Sequence, residues 1–173
     1  LQCAHKYVEC FETQAKMLGT YTMADAYFRC LCRADEVITV AKLELGDDTQ
    51  SKINTLFSEK RYTHVLDVTA ACSAAQKIAA DIKDNVSSEY FKSIAKHQSD
   101  AFDKNGLLKC GECYEGDSWN YSFRLLPNME ERIQLCGGRE NFVKLADSFF
   151  GYGKESVTQC IDIESEYRNA LLL

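Results

Sequence analysis

Nine cysteines carry most of the chemistry open to this 173-residue chain: Cys3, Cys10, Cys30, Cys32, Cys72, Cys110, Cys113, Cys136 and Cys160. Cys110-Gly111-Glu112-Cys113 has the CxxC spacing of thiol–disulfide oxidoreductases. Those enzymes set the pair at a helix N-terminus after a strand, where the dipole lowers a thiol pKa. No strand pattern precedes it here, so the motif reads as a turn holding two structural sulfurs. A zinc site wants a second such pair at regular spacing, and the sequence has none. His5, His64 and His97 include no i, i+4 pair that would set two imidazoles on one metal, and each reads as a surface or boundary residue. GxSxG, P-loop and GxGxxG patterns are absent. The expectation is a protein with no catalytic, cofactor or metal site.

The remaining use of so many sulfurs is structural. Cytosolic chains rarely carry this many cysteines without a metal, so the reading is a secreted or extracellular domain with four disulfides, each contributing ~2–4 kcal/mol. Cys3, Cys10, Cys30, Cys72, Cys136 and Cys160 fall on apolar helical faces, which places the bridges between packed helices. A helical hairpin turning near Thr20 sets Cys10 opposite Leu31, so Cys10 to Cys30 or Cys32 is the first expected pairing. On a helix Cys30 and Cys32 stand about 200° apart and would serve different neighbours. Cys72 needs a core partner, and Cys110, Cys113, Cys136 and Cys160 can form a C-terminal set of open connectivity. Nine is odd, so one thiol is buried and free or links two chains: a monomer or a disulfide-linked dimer.

Other features agree with that compartment. Asn85-Val86-Ser87 and Asn120-Tyr121-Ser122 are N-glycosylation sequons. The chain starts at Leu1 without an apolar leader, as a mature secreted chain would. It has no run of 18 apolar residues able to span a membrane. The net charge of −6 argues against nucleic acid and anionic lipid as partners.

The elements that must position these residues are helices. One proline and nine glycines in a chain that is 46% hydrophobic and 27% charged leave little turn material for a β fold. Apolar stripes at helical spacing run through Cys3, Tyr7, Cys10, Phe11 and Leu18, closed by Gly19, then from Met23 to Leu45 over six turns, closed by Gly46. Thr22 and Asp25 suggest a capping box for the second. Asp47-Asp48-Thr49 starts a short helix with Ile53, Leu56 and Phe57. A heptad-like seam follows through Val65, Val68, Cys72, Ala75, Ala79, Ile82 and Val86. Ser87 caps a helix with Phe91, Ile94, Ala95 and Phe102, stopped by Asn105-Gly106. Helical order returns at Pro127 with Met129, Ile133 and Cys136 on one face, then with Phe142, Leu145, Ala146 and Phe149, and last from Val157 to Leu171. The fold class expected is all-α: a disulfide-stapled bundle of seven or eight helices in a single domain, residues 1–173.

Two aromatic features suggest recognition. Tyr114, Trp119, Tyr121 and Phe123 crowd a segment outside regular helix, where aromatics either anchor a partner or plug the bundle. Phe149-Phe150-Gly151-Tyr152 puts adjacent phenylalanines on different sides of a helix, one for the core and one for a neighbour or ligand. The expected function is extracellular docking of a protein partner or receptor. A carrier holding a small hydrophobic ligand between helices is the alternative, and an enzyme with a dispersed site the third reading.

Cys136-Gly137, Glu140, Phe142, Phe149 and Cys160-Ile161-Asp162 resemble the end of secreted helical cysteine-rich proteins of invertebrates, of the nematode secreted-domain type and the insect haemolymph glycoprotein type. The resemblance covers only this C-terminal stretch and implies a secreted helical glycoprotein.

Overall fold

The computed structural model describes residues 17–109, 117–123 and 128–152. The described chain is all-α. Among the described residues are helices α1 (Leu18–Phe28), α2 (Ala34–Leu45), α3 (Thr49–Ser58), α4 (Tyr62–Asp81), α5 (Asn85–Ala95), α6 (Ser118–Ser122), α7 (Met129–Leu135) and α8 (Arg139–Phe149), with a 3-10 helix at Lys96–Ala101. Pairing between backbones is limited there to an isolated bridge between Phe102 and Leu108. The first and last expected helices lie outside the described residues, as do Pro127, Cys3, Cys10, Cys110, Cys113 and Cys160. Contacts divide the chain into two compact units, Leu1–Gln98 and Ser99–Leu173.

The first unit is built on α4. From His64 to Cys72 every residue of this helix is buried, the pattern of a helix enclosed on all sides. It packs against α5, α2, α1 and α3. Ala71, Ala75 and Ala79 let the neighbours approach closely, and Phe91, Ile94, Ile38, Ala41, Leu45 and Ile53 fill the space around them. A second cluster joins Ala24 of α1, Ala34 and Val37 of α2 and Ile78 of α4. His64 is buried among these helices, so it is not the boundary residue its sequence suggests.

Several helix boundaries differ from the sequence expectation, and for a common reason. The six-turn helix expected from Met23 to Leu45 is broken at residues 29–33. Cys30 takes a left-handed backbone (φ 58°) there. Its N–H reaches Tyr27 O at 2.8 Å and that of Leu31 reaches Ala26 O at 2.8 Å, the paired bonds of a Schellman stop. Cys30 and Cys32 therefore sit in a turn, not on a helix. Lys60 (φ 58°) ends α3 and Lys83 (φ 62°) ends α4 in the same way. The seam expected to run to Val86 thus stops at Asp81, and Ile82 and Val86 are exposed. Asp84, not Ser87, caps α5 by accepting the Ser87 N–H at 3.0 Å. The Ser87 hydroxyl, together with this N–H, holds the Asp84 carboxyl below the usual carboxylate range.

The start of α1 also departs from expectation. Met17 (φ 54°) is the left-handed residue before it, and Gly19 lies inside its first turn and does not end a preceding helix. Thr22 is no cap, because its hydroxyl bonds back to Leu18 O at 2.9 Å. The first-turn donors are met from α2: Glu44 accepts the N–H groups of Gly19 at 2.9 Å and Thr20 at 2.8 Å, and the Thr20 hydroxyl at 2.5 Å. A Cβ on Gly19 would stand 2.8 Å from Glu44 Oε1, so this carboxylate needs glycine there. The cap expected at Asp47-Asp48-Thr49 is present, with Asp48 as the N-cap residue of α3.

Candidate binding surface

The second unit is organised by a residue that the sequence does not single out. Helix α7 was expected to bury Met129, Ile133 and Cys136, but Met129 is exposed and Arg132 is buried beside Cys136. Arg132 Nη2 donates to Gly106 O at 2.6 Å and to Ser122 O at 3.1 Å, and Nη1 donates to Cys136 Sγ at 2.9 Å. The guanidinium lies over the Phe102 ring at 4.5 Å and nearer the edge of contact with Phe123 at 5.9 Å. Burial pulls its pKa down, opposed by Cys136 and Asp103. Two backbone carbonyls that no helix satisfies explain why a fork of five donors is placed here.

Around this centre the aromatic segment folds inward. Asp117 caps α6 by accepting the N–H groups of Trp119 at 2.8 Å and Asn120 at 3.1 Å, while Asn120 Oδ1 accepts the Asp117 N–H at 3.0 Å. That box turns Tyr121 and Phe123 into the unit and leaves Trp119 half-buried. Tyr114 lies outside the described residues. Asn120 is itself buried and its sequon serine, Ser122, accepts the Leu108 N–H at 2.7 Å. Asn85, the other sequon residue, is exposed at the start of α5.

Helix α8 separates the phenylalanine pair. It follows Gly137 (φ 80°) and Gly138 (φ 109°), and Gly151 (φ 68°) ends it with the Tyr152 N–H bonded to Asp147 O at 2.8 Å. Phe149 is buried and stacks on Phe123 at 4.6 Å. Phe150, about 100° further round the helix axis, meets the Phe149 ring edge-on at 5.0 Å and is 52% exposed. Tyr152 is 78% exposed, and Val143 is exposed as well. Val143 and Phe150 are seven residues apart and so share one outer face of α8. The sequence signal for that face is this spacing, which lies off the apolar stripe through Phe142, Leu145, Ala146 and Phe149. Of that stripe only Phe149 is fully buried; the other three are half-buried.

The four described cysteines carry free thiols: Cys30 is exposed, Cys32 half-buried, and Cys72 and Cys136 buried. Cys32 donates to Met23 O at 3.2 Å, and burial raises its pKa. Cys72 packs as a small apolar residue, and burial pushes its thiol up to about 12. No group of three or more His, Cys, Asp and Glu among the described residues is arranged to hold a metal. No described helix is long and apolar enough to cross a membrane. A pocket of about 70 Å³ in the first unit is lined by Met17, Glu44, Leu45, Ile53, Leu56 and Val68. Ligand sites usually measure about 300–1,000 Å³, so it holds at most the tip of a hydrophobic ligand. No protein-family model matches the sequence, and no curated protein matches it.

Proposed function

We propose that the protein is an extracellular, disulfide-bonded binding protein that docks a protein partner and catalyses no reaction on it. Its docking surface is the outer face of α8 and the turn that ends it, with Val143, Phe150 and Tyr152 as the anchors. The observation that carries this reading is the division of Phe149 from Phe150: one ring completes the core, and its neighbour is held out in water by the same helix. Aromatic anchors held at the capped end of a preformed helix suit insertion into an apolar groove, because the backbone that carries them is already fixed by the Gly151 turn. Arg139, Glu140, Lys144 and Asp147 on α8 balance in charge. The partner's groove is therefore apolar and not strongly charged, and the complex is only weakly sensitive to salt. The cysteine content and the exposed sequon at Asn85 support the extracellular assignment.

The test compares Phe150→Ala/Tyr152→Ala with Phe149→Ala. Protein isolated with its partner from its own extracellular fluid provides the reference complex. The double variant is expected to lose that partner while its melting temperature stays unchanged. Phe149→Ala is expected to cost ~3–5 kcal/mol of stability. A double variant that keeps the partner, or that melts as low as Phe149→Ala, overturns the assignment of this surface.

A further inference from the structure

The pocket in the first unit has a chemistry of its own. Its walls are apolar and come from four parts of the chain: Met17 before α1, Leu45 of α2, Ile53 and Leu56 of α3, and Val68 of α4. Leu56 is half-buried and the other four are buried. Glu44, Thr49 and Lys52 complete the lining. We propose that this pocket binds a short-chain aliphatic monocarboxylate, with the carboxylate on the Lys52 ammonium and about three carbons of chain between the apolar walls.

The head group follows from which polar atoms are already used. Glu44 gives both oxygens to the start of α1, accepting from the N–H groups of Gly19 and Thr20 and from the Thr20 hydroxyl. The Thr49 hydroxyl is shared between Gly46 O at 3.4 Å and the Tyr90 hydroxyl at 3.0 Å. Lys52 is different. Its Nζ donates to Leu45 O at 2.7 Å, which pins the ammonium to a residue of the pocket wall. An ammonium has three N–H donors, so two remain for a ligand. Gly46 makes room for it, since a Cβ there would stand 2.7 Å from Nζ. The polar group left over at the pocket is therefore cationic and donor-only, and its complement is an anionic acceptor. Lys52 is exposed, so a carboxylate on it stays partly hydrated and avoids the cost of burying a charge.

The tail follows from the volume. A cavity of about 150 Å³ takes benzene, with its six carbons. At about 70 Å³ this pocket has room for half as many. The buried side chains of Ile53 and Val68 close its inner end, and the head group is fixed at Lys52. Butanoate, with three carbons behind its carboxylate, fills the space between. A longer chain must lift its carboxylate off Lys52 or leave its end in water. The site belongs to the first unit and owes nothing to the α8 surface.

Titration of the full chain, read by NMR at the Ile53 and Val68 methyl groups, tests this. Sodium acetate, propanoate, butanoate and hexanoate are compared at one ionic strength, with butan-1-ol and butylammonium beside them. Butanoate is expected to give saturable shifts. Each methylene from acetate to butanoate should tighten binding about fourfold, and hexanoate should add nothing further. Butan-1-ol should bind roughly fivefold more weakly than butanoate, the effect of a partly exposed ion pair. Lys52→Met, at an exposed position that the core does not need, should weaken butanoate to the same degree and leave butan-1-ol unchanged. A gain that continues to hexanoate would show a groove with no closed end. Equal binding of butanoate and butan-1-ol, or full affinity of Lys52→Met for butanoate, would take the ammonium out of the site. Tighter binding of butylammonium would give the head group to Glu44. Each of these results overturns the proposal, as does a butanoate titration without saturable shifts.

Discussion

Replacing Arg132 with methionine keeps an unbranched side chain of similar reach and removes the guanidinium. Gly106 O and Ser122 O then lose their donor inside the second unit, as does the sulfur of Cys136. An orphaned buried acceptor costs about 1–3 kcal/mol, and two carbonyls give about 2–6. Loss of the cation from the Phe102 face adds about 0.5–2 kcal/mol. Methionine returns part of this, because a desolvated charge no longer has to be buried. The net expectation is a loss of about 3–5 kcal/mol, a large share of the ~5–15 kcal/mol that holds an ordinary protein folded. In urea, with a slope of about 1–3 kcal/mol per molar, the midpoint should fall by at least ~1 M. Arg132→Lys should fall between the two, since an ammonium keeps the charge but cannot span both carbonyls and the thiol at once. Amide exchange should rise first at Leu108, whose N–H is held by Ser122 Oγ. An unchanged midpoint for Arg132→Met would refute the reasoning, and so would a lysine variant as unstable as the methionine one.

Lys60→Gly and Lys83→Gly each remove a left-handed side-chain penalty at a helix stop while adding freedom to the unfolded chain; each should raise stability by about 0.5–1 kcal/mol, read as a melting-temperature gain of roughly 1–4 °C. A fall in either variant would show that the lysine stem packs usefully. Cys72, pushed up to about 12 from 9.0 by burial, stays protonated when folded while its unfolded thiol ionises. Stability from this group is therefore present below pH 9 and lost between 9 and 12, at about 1.4 kcal/mol per pH unit, and Cys72→Ala should flatten that part of the stability–pH curve. On passage through a glycosylating secretory route, Asn85 should carry the glycan and Asn120 none; peptide masses after enzymatic deglycosylation decide it, and an occupied Asn120 in folded protein would contradict its place in the α6 cap.

The sequence shows the fold class and most of the helices, because a repeat of three and four apolar positions is a local signal. Its failures share a cause. A glycine marks a left-handed stop in advance, as at Gly137 and Gly151, but Cys30, Lys60 and Lys83 make the same kind of stop because the packed helices on both sides require it. Glu44 caps a helix whose first residues lie 24 and 25 positions away, and no short motif records that. Arg132 reads as a polar interruption between Glu131 and Ile133, and only the carbonyls it meets explain its burial. The candidate surface is half legible in the sequence. The adjacent phenylalanines announce that one of them faces outward, whereas the inward turn of Tyr121 and Phe123 depends on an Asp117 cap that only the folded chain reveals.

The tie from Glu44 to Gly19 and Thr20 has a bearing on how the chain leaves the ribosome. The N-terminal turn of α1 is synthesised first, yet the carboxylate that holds it arrives two dozen residues later. A nascent chain ending at Arg33 contains all of α1 and nothing to fasten its start. Helix α1 and the α2 that follows it therefore become secure together, as a hairpin, once the end of α2 has emerged.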